Sequence, residues 1–378
     1  MKILLLAGEE SGVLYARQIA DRLKGHEVRG YGDYGFRTED LAVMGVEEVL
    51  KNIFFLLRVK RTMERAIVEW RPDVVCTIDY PGMNLKLAAF AKARGIRTVH
   101  VVCPQVWAWK AGRIPKIERT FDRLCCFFPF EPALFRPGFA TFVGHPLVEQ
   151  FRRARDEGVG SRDEGVGSRV TLALLPGSRL GEIEKHLPVM LGTLKSLNLP
   201  SNLRVEIPAA NDRAYAAITR IVSDKPFFIL HSSLFISHGG ARELLLRADC
   251  AVVASGTATL EAALAGCPTV LVYRASPLFA FIARRVIRGI RFVGLANIIW
   301  DKSMAACGER PPAEDAPMHE ILQEALTVGN LRRELLPLLT EESARQCAKA
   351  RLAQAMNLLR SDGDAIGRIA EIIRTCIG

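Results

Sequence analysis

The sequence contains no C-x-x-C pair, and its apolar runs, such as Ile3–Gly8 and Pro277–Ala283, fall far short of the ~18–20 residues that a spanning helix needs. No transmembrane segment is therefore expected. The nine cysteines, at positions 76, 103, 125, 126, 250, 267, 307, 347 and 376, are odd in number and dispersed, most of them inside apolar runs. That usage points to neither disulfides nor a zinc site, and it fits a reducing cytoplasm. The first residues, Met1–Gly8, run directly into Glu9 and Glu10 and lack the apolar core and small-residue cleavage site of a signal peptide, so they read as a first strand. The turn Ala7–Gly12 lacks the G-x-G-x-x-G spacing, and no D-x-D follows a strand; Asp362-Gly363-Asp364 sits in a tail turn.

The 378 residues are 49% hydrophobic and 24% charged, a globular composition, and at roughly 100–200 residues per domain the length favours two domains. Lys and Arg number 51 against 41 Asp and Glu, a formal charge of +10 that suits anionic partners. Nucleic acid is disfavoured, because no binding motif and no basic stripe interleaved with aromatics is found.

Short apolar runs alternate with helical stretches: Ile3–Leu6, Glu27–Tyr31, Val74–Ile78, Thr98–Val102 and Arg123–Phe127, then Thr171–Leu175, Arg204–Pro208, Phe227–Leu230, Ala251–Ala254 and Thr269–Val272. This predicts an α/β chain of two Rossmann-like doubly wound domains facing each other across a cleft. Between the series, Arg155–Ser161 is repeated residue for residue as Arg162–Ser168, a glycine- and charge-rich heptad with no apolar face. The expected domains are 1–151, a linker at 152–169, 170–341, and terminal helices over 342–378.

Chemistry-bearing motifs follow the strands. Ala7-Gly8-Glu9-Glu10-Ser11-Gly12 is a strand-to-helix turn, either a ligand loop or simply a Ser11-capped helix start. Asp79 ends the strand Val74–Ile78, where α/β folds place ligands, so it is a candidate general base or a helix cap. Trp107 and Trp109, two residues apart, do not share a helix face; one suits core and the other a sugar or acyl site. In the second half, Leu174–Arg179 (LLPGSR) and Ser255–Glu261 (SGTATLE) are two small-residue strand-to-helix turns. Amides of Gly177 and Ser178 with the Arg179 fork suit phosphate, and Glu261 suits ribose hydroxyls.

AGEESG at Ala7–Gly12, LAVMGVEEVL at Leu41–Leu50, PDVVCTIDYPGMN at Pro72–Asn84, PQVWAWK at Pro104–Lys110, PFE at Pro129–Glu131, VGHPL at Val143–Leu147, LLPGSR, SGTATLE and LANII at Leu295–Ile299 occur in the order found in the lipid-A-disaccharide synthases, which the chain resembles over nearly its whole length. The resemblance implies a GT-B type fold and an inverting, metal-independent glycosyltransferase of lipid A biosynthesis with no cofactor. It would join UDP-2,3-diacylglucosamine to 2,3-diacylglucosamine 1-phosphate (lipid X) and release UDP. Carried residue by residue, it implies Asp79 as the base, Glu9, Ser11 and Asn84 near the acceptor or reacting centre, and Arg179, Ser255, Gly256, Thr257, Glu261 and Asn297 around UDP. Departures from the family pattern are Val13 and Gly82, each where Asp is usual, Cys103 and Gln105 in place of serines, and an irregular insertion from Trp300 to Ala316.

Acylated substrates imply collection at a membrane. Phe54, Phe55, Leu56, Leu57 and Arg58, with Lys60 and Arg61, and secondarily Phe279–Arg288, join large apolar side chains to cations as interfacial helices do. A cytoplasmic protein peripherally bound to an anionic inner-membrane surface is expected, with a homo-oligomer left open. The alternatives are a catalytically inactive UDP-sugar or lipid-binding homologue, and another UDP-sugar GT-B enzyme.

Overall fold

The computed structural model describes residues 1–8, 10–30, 53–160, 169–197, 203–224, 233–276, 289–361 and 364–376, with side chains at 10, 11, 53–56 and 233 outside the description. Two compact units emerge, one of Met1–Pro146 with Ser361–Gly378 and one of Leu147–Arg360.

The first unit is a six-stranded, all-parallel sheet in the order β2-β1-β3-β4-β5-β6, made of β1 (Lys2–Ala7), β2 (Glu27–Gly30), β3 (Val74–Ile78), β4 (Arg97–Val101), β5 (Arg123–Cys126) and β6 (Ala140–Phe142). Side chains alternate across a strand, so β1 needs apolar residues at every position to bury both faces. Ile3, Leu5 and Ala7 pack against helix α1 (Glu10–Arg22), while Leu4 and Leu6 pack against α2 (Ile53–Trp70) and α3 (Pro81–Lys92). A short α4 (Ile114–Thr120) closes the β4–β5 side through Ile117 and Phe121.

The second unit repeats the plan with β7 (Val170–Leu175), β8 (Leu203–Ala209), β9 (Ser233–His238), β10 (Cys250–Ala254), β11 (Thr269–Tyr273) and β12 (His319–Leu322), in the parallel order β12-β11-β10-β7-β8-β9. Its helices are α5 (Pro146–Asp156), α6 (Leu180–Ser196), α7 (Asp212–Ser223), α8 (Ala241–Arg247), α9 (Thr257–Ala265), α10 (Leu295–Ala306), α11 (Val328–Thr340) and α12 (Glu342–Asn357). Leu172, Leu174, Val205, Ile207, Val252 and Val270 bury one sheet face under α6, α7 and α11.

Domain boundaries differ from the sequence expectation in two places. The stretch 152–156, expected as linker, continues α5, whose Leu147, Phe151 and Ala154 recur at helical spacing and are buried. Arg155, in the first copy of the heptad, donates a hydrogen bond to the Leu264 carbonyl, which ties that copy to the second unit; residues 161–168 lie outside the description. The terminal helices also part company. Helix α12 stays with the second unit, whereas α13 (Ala365–Thr375) returns to the first, where Ile366, Ile369, Ala370 and Ile373 join Ile3 and Leu5 in one cluster. The apolar stripe of α13 needs such a face, and Asp364 starts the helix by accepting the Ile366 amide at 3.0 Å. Strands β6 and β12, three and four residues long, are additions to the sequence reading. The expected strand Phe227–Leu230 lies outside the description; the strand described there is Ser233–His238.

Candidate active site

Each sheet reverses its strand order once, between β1 and β3 in the first unit and between β7 and β10 in the second. Ligands of open α/β sheets bind at the carboxyl edge beside such a reversal. All the expected catalytic, acceptor and UDP residues except Asn297 follow these very strands.

In the first unit, Asp79 and Tyr80 follow β3 with φ of 51° and 49°, a left-handed conformation that costs a non-glycine residue about 1–3 kcal/mol. Surrounding bonds impose it. The Asp79 amide donates to the Val101 carbonyl at 2.9 Å, and the buried Asn84 side-chain amide donates to the Ile78 and Asp79 carbonyls at 3.2 and 2.7 Å. Glycine at position 8 is required here, since a Cβ would stand 2.5 Å from the Tyr80 ring. The Asp79 carboxylate accepts its neighbour's amide, Tyr80 N at 2.8 Å, and α3 begins at Pro81 with Tyr80 as an N-cap whose side chain does not cap the helix. Asp79 is thus not the helix cap. Burial raises its pKa above the usual carboxylate value, against the Tyr80 amide, which lowers it.

The other first-unit residues divide. Asn84, expected beside the acceptor, spends its amide on shaping the Asp79 turn; its position is structural support. Glu9 lies outside the described residues, and Ser11 falls inside the first turn of α1, not at its cap, with its side chain undescribed. Val13 is buried in the core cluster, whereas a Cβ at Gly82 would meet open space. Trp107 is half-buried, its Nε1 donating to Glu131 Oε1 at 3.1 Å, and Trp109 is exposed with the Lys110 ammonium 4.0 Å from its ring centroid.

In the second unit the loops after β7, β8, β9 and β10 enclose a cavity of about 370 Å³, within the roughly 300–1,000 Å³ of small-molecule sites. Arg179, Ser255, Gly256, Thr257 and Glu261 all line it. The Arg179 side chain is 84% exposed, held only by Glu182 Oε1 at 3.4 Å, so its fork is available to a ligand. Helix α9 starts at Thr257 without a side-chain cap, leaving first-turn amides to face an anion. Of the Gly177 and Ser178 amides expected to meet phosphate, that of Ser178 is otherwise used, because Glu182 Oε2 accepts Ser178 N and Arg179 N at 3.2 and 3.4 Å. Burial raises the Glu261 carboxyl, opposed by the nearby Arg242 guanidinium.

Asn297 is not part of this cavity. It is fully buried, with Nδ2 donating to the Met318 carbonyl and to Glu320 Oε1, both at 2.8 Å, and Oδ1 accepting Met318 N at 3.0 Å. The start of α10 is neutralised internally, since Glu320 accepts Val293 N and Gly294 N at 2.8 and 2.9 Å. Sequence reasoning also missed the linings Pro208–Ala210 and Gly239–Ala241. The adjacent glycines 239 and 240, both with positive φ at the end of an apolar run, were the available signal for the latter.

Of the residues expected to contact a membrane, Phe54, Phe55 and Leu56 have undescribed side chains, and Phe279–Arg288 falls wholly in the undescribed stretch 277–288. Leu57 is 44% exposed, and Arg58, Arg61, Arg65 and Val68 extend that exposed stripe along α2. Lys60 is half-buried and paired with Glu64. No helix among the described residues is long and apolar enough to cross a membrane.

The paired parallel sheets are similar to MurG of Acinetobacter baumannii, with a TM-score of 0.60 and 14% identity over 99% of both chains. They are equally similar to a S. aureus MnaA–UDP co-structure, with a TM-score of 0.61 and 12% identity over 99% of this chain and 96% of that one. This is the GT-B class of fold. Residues 3–362 match the family model for lipid-A-disaccharide synthetase. The chain is 33% identical to the lipid-A-disaccharide synthase of Syntrophus aciditrophicus (strain SB) over 96% of its own length and 94% of that protein. It belongs to the lipid-A-disaccharide synthase family, UDP-sugar glycosyltransferases of lipid A biosynthesis.

Proposed function

We propose that the chain transfers the diacylglucosaminyl group of UDP-2,3-diacylglucosamine to the 6-hydroxyl of 2,3-diacylglucosamine 1-phosphate, with inversion at the anomeric carbon. Asp79 takes the hydroxyl proton as the acceptor oxygen bonds to that carbon, and the bond to the pyrophosphate breaks, leaving UDP. A carboxylate with a raised pKa is better matched to this task than an ordinary one. The open start of α9 and the Arg179 fork stabilise charge on the departing UDP. Glu261, one turn into the same helix, accepts ribose hydroxyls.

The observation that carries this reading is the meeting of Arg179, Ser255, Gly256, Thr257 and Glu261 in one cavity at the β7/β10 reversal. Purified protein given both acylated substrates should yield the β(1→6) disaccharide 1-phosphate and UDP by mass spectrometry. Binding of UDP without product would favour the inactive homologue. Arg179→Ala should weaken UDP binding by roughly 1.5–3 kcal/mol, the range for hydrogen bonds to a charged group, and Glu261→Ala should weaken it less. Calorimetric titration with UDP reads both, and unchanged affinity in the pair moves the donor elsewhere.

The exposed stripe of α2 supports peripheral association with an anionic membrane. Removing Arg58 and Arg61 together should cost about 2 kcal/mol at roughly 1 kcal/mol per cation, or about thirtyfold in binding to phosphatidylserine vesicles. Sedimentation of the double alanine variant at the wild-type level would move the contact off α2.

A further inference from the structure

Spacing along the chain separates Cys103 and Cys126 by more than twenty residues, yet parallel pairing brings them together. Val101 at the end of β4 is in register with Cys125, the penultimate residue of β5. Val102 then adopts φ 74°, a left-handed conformation that β-branched residues rarely take, and Cys103 follows that bend. The Pro129–Glu131 turn brings the Glu131 carboxylate to the same place. Sγ of Cys103, Sγ of Cys126 and a carboxylate oxygen of Glu131 lie within 4.8 Å of one another, and all three residues are buried.

Donor chemistry and geometry suit a thiophilic cation. Tetrahedral zinc with bonds of about 2.3 Å to sulfur and 2.0–2.2 Å to oxygen holds its donors roughly 3.3–3.8 Å apart, inside that limit. The carboxylate is already oriented, with Oε1 accepting Trp107 Nε1 and Oε2 accepting Phe128 N, each at 3.1 Å. The Phe127 backbone and the Cys103 thiol are its further hydrogen-bond partners, and a cation that displaces the thiol proton leaves the others as the outer hydrogen bonds that metal-bound carboxylates keep. The Pro104 carbonyl oxygen, 3.3 Å from Cys103 Sγ, is within reach of a fourth position.

We propose that Cys103, Cys126 and Glu131 form a buried site for one divalent thiophilic cation of the zinc class, tying the loop that carries Trp107 to the end of β5. The cation replaces the two thiol protons, which leave to solvent, and two new metal–sulfur bonds form with no change of oxidation state. Two thiolates and one carboxylate then face a dication, which leaves the site with the same single negative charge as an ionised carboxylate beside two thiols. A disulfide between the same cysteines fits less well, since it would remove the Cys103 thiol donor and leave the buried carboxylate its Trp107 and Phe128 hydrogen bonds but no cation.

The test uses the full chain with the two exposed thiols removed as Cys307→Ser and Cys347→Ser. After chelation under reducing conditions it is titrated with cobalt(II) as the zinc probe. One equivalent should generate a thiolate-to-cobalt charge-transfer band in the near ultraviolet, release at least two protons, raise the melting temperature and be displaced by zinc. Cys126→Ala should abolish the band, as should the near-isosteric Cys103→Ser, which guards against a folding failure of the first variant. No band in the parent overturns the proposal. So does a band that survives in either folded variant, which assigns the cobalt to other cysteines, or the recovery of Cys103 and Cys126 as a disulfide that reductant must open before the thiols titrate.

Discussion

Asp79→Asn should lower turnover by about 10²–10⁴, the usual range for loss of a general base, with UDP affinity and fold unchanged. The substitution keeps the oxygen that accepts the Tyr80 amide, so the left-handed turn at residues 79 and 80 keeps its bond. Stability supplies the control. Burial raises the folded-state pKa of Asp79 above its unfolded value, so its favourable contribution is present at low pH and is lost as pH rises through the folded pKa. At neutral pH the ionised carboxylate is a burden on the fold, and the neutral asparagine should leave the melting temperature equal or higher. Wild-type activity should fall on acidification at a pH above the ordinary carboxylate range, and the residual activity of Asp79→Asn should lose that limb. Near wild-type turnover in the variant, or an unchanged acid limb, would remove Asp79 from the proton transfer.

Strands that bury both faces were legible because Ile3–Ala7 of β1 and every residue of β3 and β10 are apolar or small, a pattern that a covered parallel strand requires. Short edge strands such as β6 and β12 were not, since three or four residues with partial exposure carry no period. The return of α13 to the first unit escaped for a different reason: its stripe announces that a face must be covered but not which one. In the site, Arg179 and Ser255–Glu261 were readable as turns following strands. Asn297 was misplaced, since an amide at the start of a helix looks alike whether it faces a ligand or, as here, holds Met318 and Glu320. Glu182 shows the same limit from the other side, its carboxylate occupying the Ser178 amide that the sequence reading assigns to phosphate.

Gly177→Ala should produce the largest loss of UDP affinity among single changes in the second unit. Gly177 has φ 120°, which costs any other residue about 1–3 kcal/mol, and an added Cβ would lie 2.6 Å from Glu182 Oε2 and 2.7 Å from its Cβ. The turn cannot relax upstream. The buried His186 joins it to the end of β11, with Nε2 accepting the Arg274 amide at 2.9 Å. A backbone donor on Nε2 fixes the proton on Nδ1, which donates to the Pro176 carbonyl at 2.9 Å. Burial lowers the pKa of His186 and so favours this neutral tautomer. Strain at residue 177 must then be released downstream, by displacing Glu182 and with it the Ser178 and Arg179 amides that it holds. Arg179 loses its aim at the cavity in the same movement, so the expected penalty exceeds that of Arg179→Ala and passes two decades in the dissociation constant at about 1.4 kcal/mol per decade. Gly82→Ala is the control, because a Cβ there meets open space and the position lies in the other unit. Calorimetric titration with UDP and a thermal melt on both variants decide the matter. Unchanged affinity in a folded Gly177→Ala protein would show that the β7 turn takes no part in holding the donor.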